Sequence, residues 1–509
     1  MRVKYAKRNV IYGTMTYVVL MLLTFINRRI FIDMLGQDMA GLQGLLQNVL
    51  SFLNLVESGV GMAIMFSLYK PFAEDDRIQI KSTVNLYSKI YKVSGTIVLA
   101  SGIIISGFLG IFVKNQIPID YVRICFILYV IDTTLTYYFS YKTCMLYASQ
   151  RGYVISVWDF VFKFIRGAVQ IAVLFIFKSF VVYLAIQIIT NIAYLITINY
   201  IVEKTFPWFK STEVGEVKNK NSIVKNIKAL FIHKIGSFVV FGTDNILISY
   251  FLNLKTVAMY TNYNLVISFC QNFINKIFDG LTASIGNLLT EGDSEKSFDI
   301  FKKLMFLNFW ISSFVTISLY NAFGDFITLW IGKEYILEDM VVIVLLANFY
   351  ITTMRMCIDK FKESGGLYYE DRYAPIFEVT INLIFSIILV KKIGLVGVFL
   401  GTLISNLSVI FWVKPKIVFN KVFKRSLTQY IGRYIYYLAI GIVPLVLTRF
   451  IDNFINIENV IFSFLVEVIL NVVVINLTYL IIFHRSEEFL YYKGLVLKKL
   501  GMNKNKKLE

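Results

Sequence analysis

Fourteen apolar runs, each about 20 residues long and so able to cross a hydrocarbon core of ~30 Å as a helix, follow one another with only short polar connections between them. They lie near 9–32, 43–69, 84–113, 121–146, 153–177, 179–202, 228–252, 257–288, 303–323, 338–358, 374–390, 394–413, 431–450 and 457–484. Within hydrocarbon every backbone N–H and C=O must find its partner inside the chain, and continuous apolar runs do so as helices. The expected fold is therefore an all-α polytopic membrane protein of about 14 transmembrane helices. Composition agrees, since 57% of the 509 residues are apolar and only 17% are charged.

The net charge of +18 does not indicate a nucleic-acid binder, because the Lys and Arg are dispersed among the connections instead of gathered on one soluble face. Topology accounts for them. The opening MRVKYAKR leads into a run that is too long for a signal peptide and has no small-x-small cleavage site, so it reads as an uncleaved first span with its N-terminus inside. On that assignment the inward connections (1–8, 70–92, 147–153, 203–228, 289–303, 359–373, 414–433 and 485–509) hold roughly 35 Lys and Arg, against roughly 6 to 8 on the outward side. Both termini are then cytoplasmic, the chain sits in the cytoplasmic (plasma) membrane, and no outward connection is long enough for a folded domain.

The longest polar break, EKTFPWFKSTEVGEVKNKNSIVKNIK, divides the chain near its middle and invites a search for an internal repeat. Laying Asn9 on Asn226 fixes an offset of 217 residues, which without gaps also places Leu35 on Leu252, Phe52 on Phe269, Ser67 on Ser284, Glu74 on Glu291 and Asp76 on Asp293. Both copies run span, short outward turn, long span, acidic inward turn. With six spans in each half, the two bundles are expected to be related by a parallel pseudo-two-fold along the membrane normal, the arrangement in which transporters place a substrate between halves. The expected organisation is an N-terminal six-helix lobe over 1–203, a cytoplasmic linker over 204–227, a C-terminal six-helix lobe over 228–420, and two further helices with a basic tail over 421–509.

Charges at membrane depth are costly and are by default candidate functional groups. The cations are Arg28 and Arg29 on the first run, Lys163 and Arg166 on the fifth, Lys276 on the eighth and Arg355 on the tenth. Arg29 and Arg355 are near enough to run ends to snorkel; Lys163 has Asp159 one turn away, and Lys276 has Asp279. Arg28 and Arg166 have no carboxylate at helical spacing, so each needs a partner on another helix or an aqueous cavity. A guanidinium fork matches phosphate oxygens with parallel hydrogen bonds, so a cationic cavity points to an anionic cargo group, with phosphate foremost. Arg28, Arg166, Lys163, Lys276 and Arg355 are the candidate diphosphate ligands. Among the acids at depth, Glu57, Asp244 and Asp132 are candidates for coupling to an H+ or Na+ gradient, with a fixed counter-ion role as the alternative for each.

Enzyme signatures are missing from the sequence: it has no GxSxG, no HExxH and no Walker loop. Four cysteines without CxxC spacing and two histidines, His233 and His484, give no metal or disulfide framework, and no cofactor is expected. The acidic turn Glu74-Asp75-Asp76, beside Lys70, Arg77 and Lys81, reads as a helix cap more readily than as a glycosyltransferase metal cluster.

The segments FIDMLG, GLQGLLQNVLSFLNLVESGVGMAI and SLYKPFAEDD resemble the opening signature of Wzx-type oligosaccharide flippases, in the polysaccharide transport branch of the multidrug/oligosaccharidyl-lipid/polysaccharide exporter superfamily. TDNILISYFLNLKTVAMYTNYNLVI and ASIGNLLTEGD are similar to that family's seventh and eighth helices. The resemblance implies a two-lobed, alternating-access protein, not an enzyme. It would move a polyprenyl-diphosphate-linked oligosaccharide to the outer leaflet for a capsule, exopolysaccharide or O-antigen-like glycan. Its implied partners are that lipid-linked cargo, membrane lipids, a polysaccharide polymerase and glycosyltransferases, with the chain itself a monomer. Two other readings stand beside it: a multidrug or metabolite exporter of the related branch, and a membrane glycan polymerase or glycosyltransferase.

Overall fold

The computed structural model describes residues 2–57, 60–114, 116–218, 242–367, 369–455 and 457–499. The side chain of Glu57, His233, the end of the expected linker and the first part of the seventh apolar run lie outside the described residues. Every regular element among the described residues is a helix, and nine of those helices are long and apolar enough to cross a membrane. The chain divides into two compact units, Met1–Thr261 and Asn262–Glu509.

The first unit contains α1 (Arg2–Leu35), α2 (Gln37–Leu53), α3 (Val60–Glu74), α4 (Arg77–Ser106), α5 (Gly110–Val113), α6 (Ile119–Phe139), α7 (Thr143–Ala148), α8 (Gly152–Phe177), α9 (Phe180–Thr205), α10 (Trp208–Ser211), α11 (Asp244–Phe251) and the first turns of α12 (Leu254–Asp279). The run expected as one span over 43–69 is instead two helices. A 3-10 segment over Asn54–Glu57 breaks it, and the Asn54 side chain accepts a hydrogen bond from Tyr137 of α6 at 3.3 Å. Close packing depends on glycine. A Cβ on Gly41 of α2 would stand 1.9 Å from the Leu254 carbonyl oxygen, and one on Gly44 would stand 2.7 Å from Thr261 Oγ1. Gly167 does the same for α8 against α1, where a Cβ would meet Leu23 and Asn27 at 2.7 and 2.8 Å.

The second unit continues with α13 (Thr282–Thr290), α14 (Ser294–Trp330), α15 (Asp339–Met354), α16 (Met356–Ser364), α17 (Ala374–Ile393), α18 (Leu395–Ser405), α19 (Phe411–Val418), α20 (Leu427–Asp452), α21 (Val460–Phe483) and α22 (Glu487–Lys499). The expected span 257–288 also divides, at Gly280 and Leu281, just after Asp279 ion-pairs with Lys360 at 2.7 Å. The twelfth run is longer than expected, extending to Phe423 through π-helical segments over Asn406–Ile410 and Phe419–Phe423. α17 and α18 form a tight hairpin across Gly394, whose φ of 64° suits a residue without Cβ. A Cβ on Gly397 would lie 2.2 Å from the backbone of Leu389.

α20 and α21, which fall outside the sequence repeat, are bolted to α14 by aromatic and polar contacts. Phe309 stacks on Tyr437 with ring centroids 4.6 Å apart, and Phe306 meets Phe483 at 5.1 Å. Tyr479 donates to Ser313 Oγ at 2.8 Å, and Trp310 donates to Asn476 Oδ1 at 2.8 Å.

The 217-residue offset reappears in the helix boundaries. α2 begins at Gln37 and α12 at Leu254; α4 begins at Arg77 and α14 at Ser294. Both long helices are capped by the aspartate that the offset pairs. Asp76 accepts from Gln79 N at 3.0 Å, and Asp293 accepts from the backbone of Glu295 and Lys296 at 2.9 and 3.0 Å. The acidic turns are thus helix caps.

Candidate functional site

α9 is an apolar helix with a polar stripe at every fourth residue: Tyr183, Gln187 and Asn191. Spacing of four puts the three on one face over about 12 Å of helix. At the Tyr183 end stand two of the sequence-selected cations. Phe31 of α1 packs edge-on against Tyr183 at 5.3 Å, and the Tyr183 hydroxyl lies within electrostatic reach of both Arg28 and Arg166. The Gly167 contact explains why these two come together, since it brings α8 hard against α1 one residue away from each arginine.

Arg28 is buried, and its guanidinium is aimed by α2: Nη1 donates to Gln43 Oε1 at 2.8 Å and to the Ala40 carbonyl at 3.4 Å. Both acceptors are neutral, so the positive charge is positioned without being neutralised by them. Arg166 is half-buried and, among the described residues, makes neither a hydrogen bond nor an ion pair. One turn away, Lys163 is exposed and paired with Asp159 at 2.9 Å.

At the other end of the stripe lies Asp132 of α6. Its carboxylate accepts from Gln187 Nε2 at 2.8 Å and from Asn191 Nδ2 at 2.7 Å. Two amides of α9 hold it, and among the described residues it forms no ion pair. The first unit therefore strings two arginines, a tyrosine, two amides and a carboxylate along one face. Asp244, at the start of α11, is buried; one oxygen accepts from Tyr260 at 3.0 Å and the other meets no donor among the described residues. Asn245, the repeat counterpart of Arg28, donates to the Gly44 carbonyl and to Asn48 at 3.3 and 3.1 Å.

Arg29, also on α1, is exposed and lies 3.7 Å from Asp33 one turn along, and the last two cations belong to the second unit. Lys276 is exposed on α12, and the acid one turn along, Asp279, is bound to Lys360. Arg355 marks the bend between α15 and α16, where its Nε reaches Asp359 at 3.3 Å and its Nη1 donates to Asn406 at 2.7 Å. Lys414 completes the network on Asp359 at 2.8 Å. Breaking a buried pair of this kind by removing one member costs several times more than forming it gains, so Arg355 is a fixed structural member of its bend.

Sequence reasoning did not select the α9 stripe, nor a second stripe on α17 formed by Glu378, Asn382 and Ser386, all buried. Asn382 donates to Thr402 at 2.9 Å, and Ser386 donates to the Val398 carbonyl at 2.9 Å. The available signal was polar residues at i and i+4 inside an apolar run, which is weaker than a lone charge. The second unit also holds an apolar cavity of about 650 Å³ walled by α14, α15, α18 and α20, with Tyr350, Tyr434 and Leu438 in its lining.

The model of the family described as "Polysaccharide biosynthesis protein" matches residues 6–281. No curated protein sequence matches the chain. Among solved structures, the fold is similar to a lipid II flippase MurJ in an inward closed conformation, with a TM-score of 0.68 at 12% identity over 93% of this chain and 99% of that one. It is also similar to an inward-facing multidrug resistance MATE family transporter of the MOP superfamily, with a TM-score of 0.62 at 13% identity over 76% of this chain and 91% of that one. A Vibrio cholerae MATE transporter, VcmN in its bent form, gives 0.55 at 14% identity over 83% and 98%.

Proposed function

The chain belongs to the polysaccharide biosynthesis protein family, and from that premise we propose that it flips polyprenyl-diphosphate-linked oligosaccharide units across the cytoplasmic membrane by alternating access. Polar sugars crossing hydrocarbon unaided lose hydrogen bonds worth several kcal/mol per group, roughly 2–7 for each amide or hydroxyl. A polar path through protein removes that barrier. The observation that carries the reading is that Arg28 and Arg166 both lie within electrostatic reach of Tyr183, at the end of a stripe whose other end is Asp132. Guanidinium groups such as those of Arg28, aimed by Gln43 and Ala40, and Arg166 suit the oxygens of a diphosphate. Amides and hydroxyls along α9 offer donors and acceptors to sugar hydroxyls. The isoprenoid tail is apolar throughout, so it needs no polar path and stays in the hydrocarbon of the bilayer. The proposed direction of transport is toward the outer leaflet, and Glu57, Asp132 and Asp244 are the groups through which an H+ or Na+ gradient would act.

The test is transbilayer movement of the lipid-linked repeat unit in reconstituted vesicles. Replacing Arg28 and Arg166 together by alanine is expected to lower the flipping rate at least about tenfold, the equivalent of losing one charge-assisted hydrogen bond. Unchanged flipping by folded double variant would remove the diphosphate assignment. A second reading, export of drugs or metabolites, draws on the likeness to multidrug resistance transporters. Resistance to cationic dyes, restored in a sensitive strain by this chain, would favour it.

A further inference from the structure

α14 and α20 carry two cavities in succession, one basic and one apolar. The basic cavity, of about 720 Å³, is lined by Lys296 and Lys302 near the start of α14, by Arg425 just before α20, and by Arg433 within it. Two carboxylates, Glu295 and Asp299, share the lining with those four cations. The apolar cavity of about 650 Å³ begins farther along both helices, at Ser313 of α14 and Tyr434 of α20, and reaches Tyr320 and Leu445. Lys302 and Ser313 are about three turns apart, which puts them on one face of α14. Tyr434 directly follows Arg433.

Each cation has an acid neighbour. Arg425 meets Glu295, Lys302 lies 3.1 Å from Asp299, Arg433 lies 3.2 Å from Glu488, and Lys296 lies 2.7 Å from Glu291. Pairs open to solvent contribute little, so a phosphate, which offers a guanidinium two parallel hydrogen bonds, can replace them. Arg425 is also incompletely engaged. Its guanidinium lies 4.3 Å above the Phe298 ring, and its Nε–H is buried with no acceptor among the described residues.

In the apolar cavity, Ser313 and Thr316 turn their hydroxyls to the α14 backbone, at 2.6 and 2.7 Å. Tyr350 of α15 and Tyr434, with ring centroids 6.2 Å apart, do not: both hydroxyls are buried and have no partner among the described residues. An unpartnered buried hydroxyl is costly, and these two lie at the end of the cavity next to Arg433. From Tyr434 to Leu445 the cavity follows α20 for about 16 Å, the depth of one leaflet of a ~30 Å hydrocarbon core. Ile435, Leu438 and Ile442 along it are exposed, so it opens through the side of the bundle.

We propose that the two cavities hold one anionic phospholipid of the surrounding membrane, with its phosphate on Arg425 and Arg433 outside the hydrocarbon, an ester carbonyl accepting from Tyr350 and Tyr434, and one acyl chain along α20. Phosphate, ester and chain follow one another on the lipid in the order of the sites along the helices. An isoprenoid chain carries no carbonyl and leaves both phenols unpartnered. The site does not depend on what the protein carries.

The experiment is native mass spectrometry of the purified, delipidated full-length protein, titrated with phosphatidylglycerol, phosphatidylcholine, the diether analogue of phosphatidylglycerol, and polyprenyl phosphate. One phosphatidylglycerol per chain is expected to bind at least about fivefold more tightly than phosphatidylcholine. The diether, which lacks the carbonyls, is expected to bind about 2–10-fold more weakly than the diester. In the double variant Tyr350→Phe, Tyr434→Phe, diester and diether bind alike, while Arg425→Ala loses the preference for phosphatidylglycerol over phosphatidylcholine. The phenylalanine variant removes only unpartnered hydroxyls, so it folds, and its lipid-free unfolding midpoint stays level or rises. Equal binding of all four lipids by the wild type overturns the proposal, as does an unchanged diester-to-diether ratio in the phenylalanine variant. Displacement of phosphatidylglycerol by equimolar polyprenyl phosphate gives the site to the cargo and overturns it too. So does inorganic phosphate that raises the unfolding midpoint as far as phosphatidylglycerol does. Transport is not measured, so failure here leaves the flippase reading standing.

Discussion

The carboxylate of Asp76 accepts the Gln79 amide at 3.0 Å, with Lys218 3.4 Å away, and these contacts hold its pKa below the ordinary aspartate value. The backbone bond is the larger cause. A depressed folded-state value means that the cap's contribution is fully present above the unfolded aspartate pKa of about 3.9 and is lost as pH falls through the lower folded value. Acidification below about pH 4 should therefore speed amide hydrogen exchange at residues 77–80 in the wild type. Asp76→Asn, which can still cap but cannot titrate, should exchange there at a rate independent of pH after correction for intrinsic chemistry. At this scale the sequence was informative wherever a charge interrupted an apolar run. Arg28, Arg166 and Asp132 are visible that way, and all three lie along α9. Their partners were hidden because Tyr183, Gln187 and Asn191 are unremarkable one at a time, and only the three-dimensional packing of α1, α6 and α8 brings the charges to their face.

Helix–helix approach in the first unit is set by residues that have no side chain to lose. Gly41 is the sharpest case, because a Cβ there would stand 1.9 Å from a backbone oxygen that cannot rotate away. Gly41→Ala should lower stability by about 1–3 kcal/mol, the usual cost of overpacking, read as a fall in the unfolding midpoint. Gly286→Ala is the matched control. Nothing lies within 4 Å of a Cβ at Gly286, in the middle of α13, so the change should be neutral or stabilising by up to about 1 kcal/mol. Apolar length predicted helices correctly but not where they break. The interruptions at Asn54–Glu57 and after Asp279 arise from tertiary bonds, to Tyr137 in one case and to Lys360 in the other. Hydropathy carries no trace of either.

For the whole molecule, the repeat was legible as a weak residue offset and is stronger as a pattern of helix starts and caps. Conservation of the turn, rather than of the residues, explains the difference: an aspartate cap and a helix start tolerate almost any neighbours. The two helices outside the repeat read from sequence as an appendage, yet they cover Phe306, Phe309 and Trp310 of α14. Each buried ring pair contributes about 0.5–1.5 kcal/mol beyond its area. A chain ending at residue 426 should consequently aggregate on size-exclusion chromatography, whereas one ending at residue 485, which keeps α20 and α21, should elute as a single folded species.

α14 is 37 residues long, or about 55 Å, nearly twice the thickness of the hydrocarbon it would cross. Its first turns carry Glu295, Lys296, Asp299, Lys302 and Lys303, so the surplus is a charged rod standing clear of the lipid. Such a rod is a lever arm. Any tilt of the buried portion is magnified at Lys296, where a spin label or fluorophore would report the protein's motion as a displacement in water, without a probe inside the membrane.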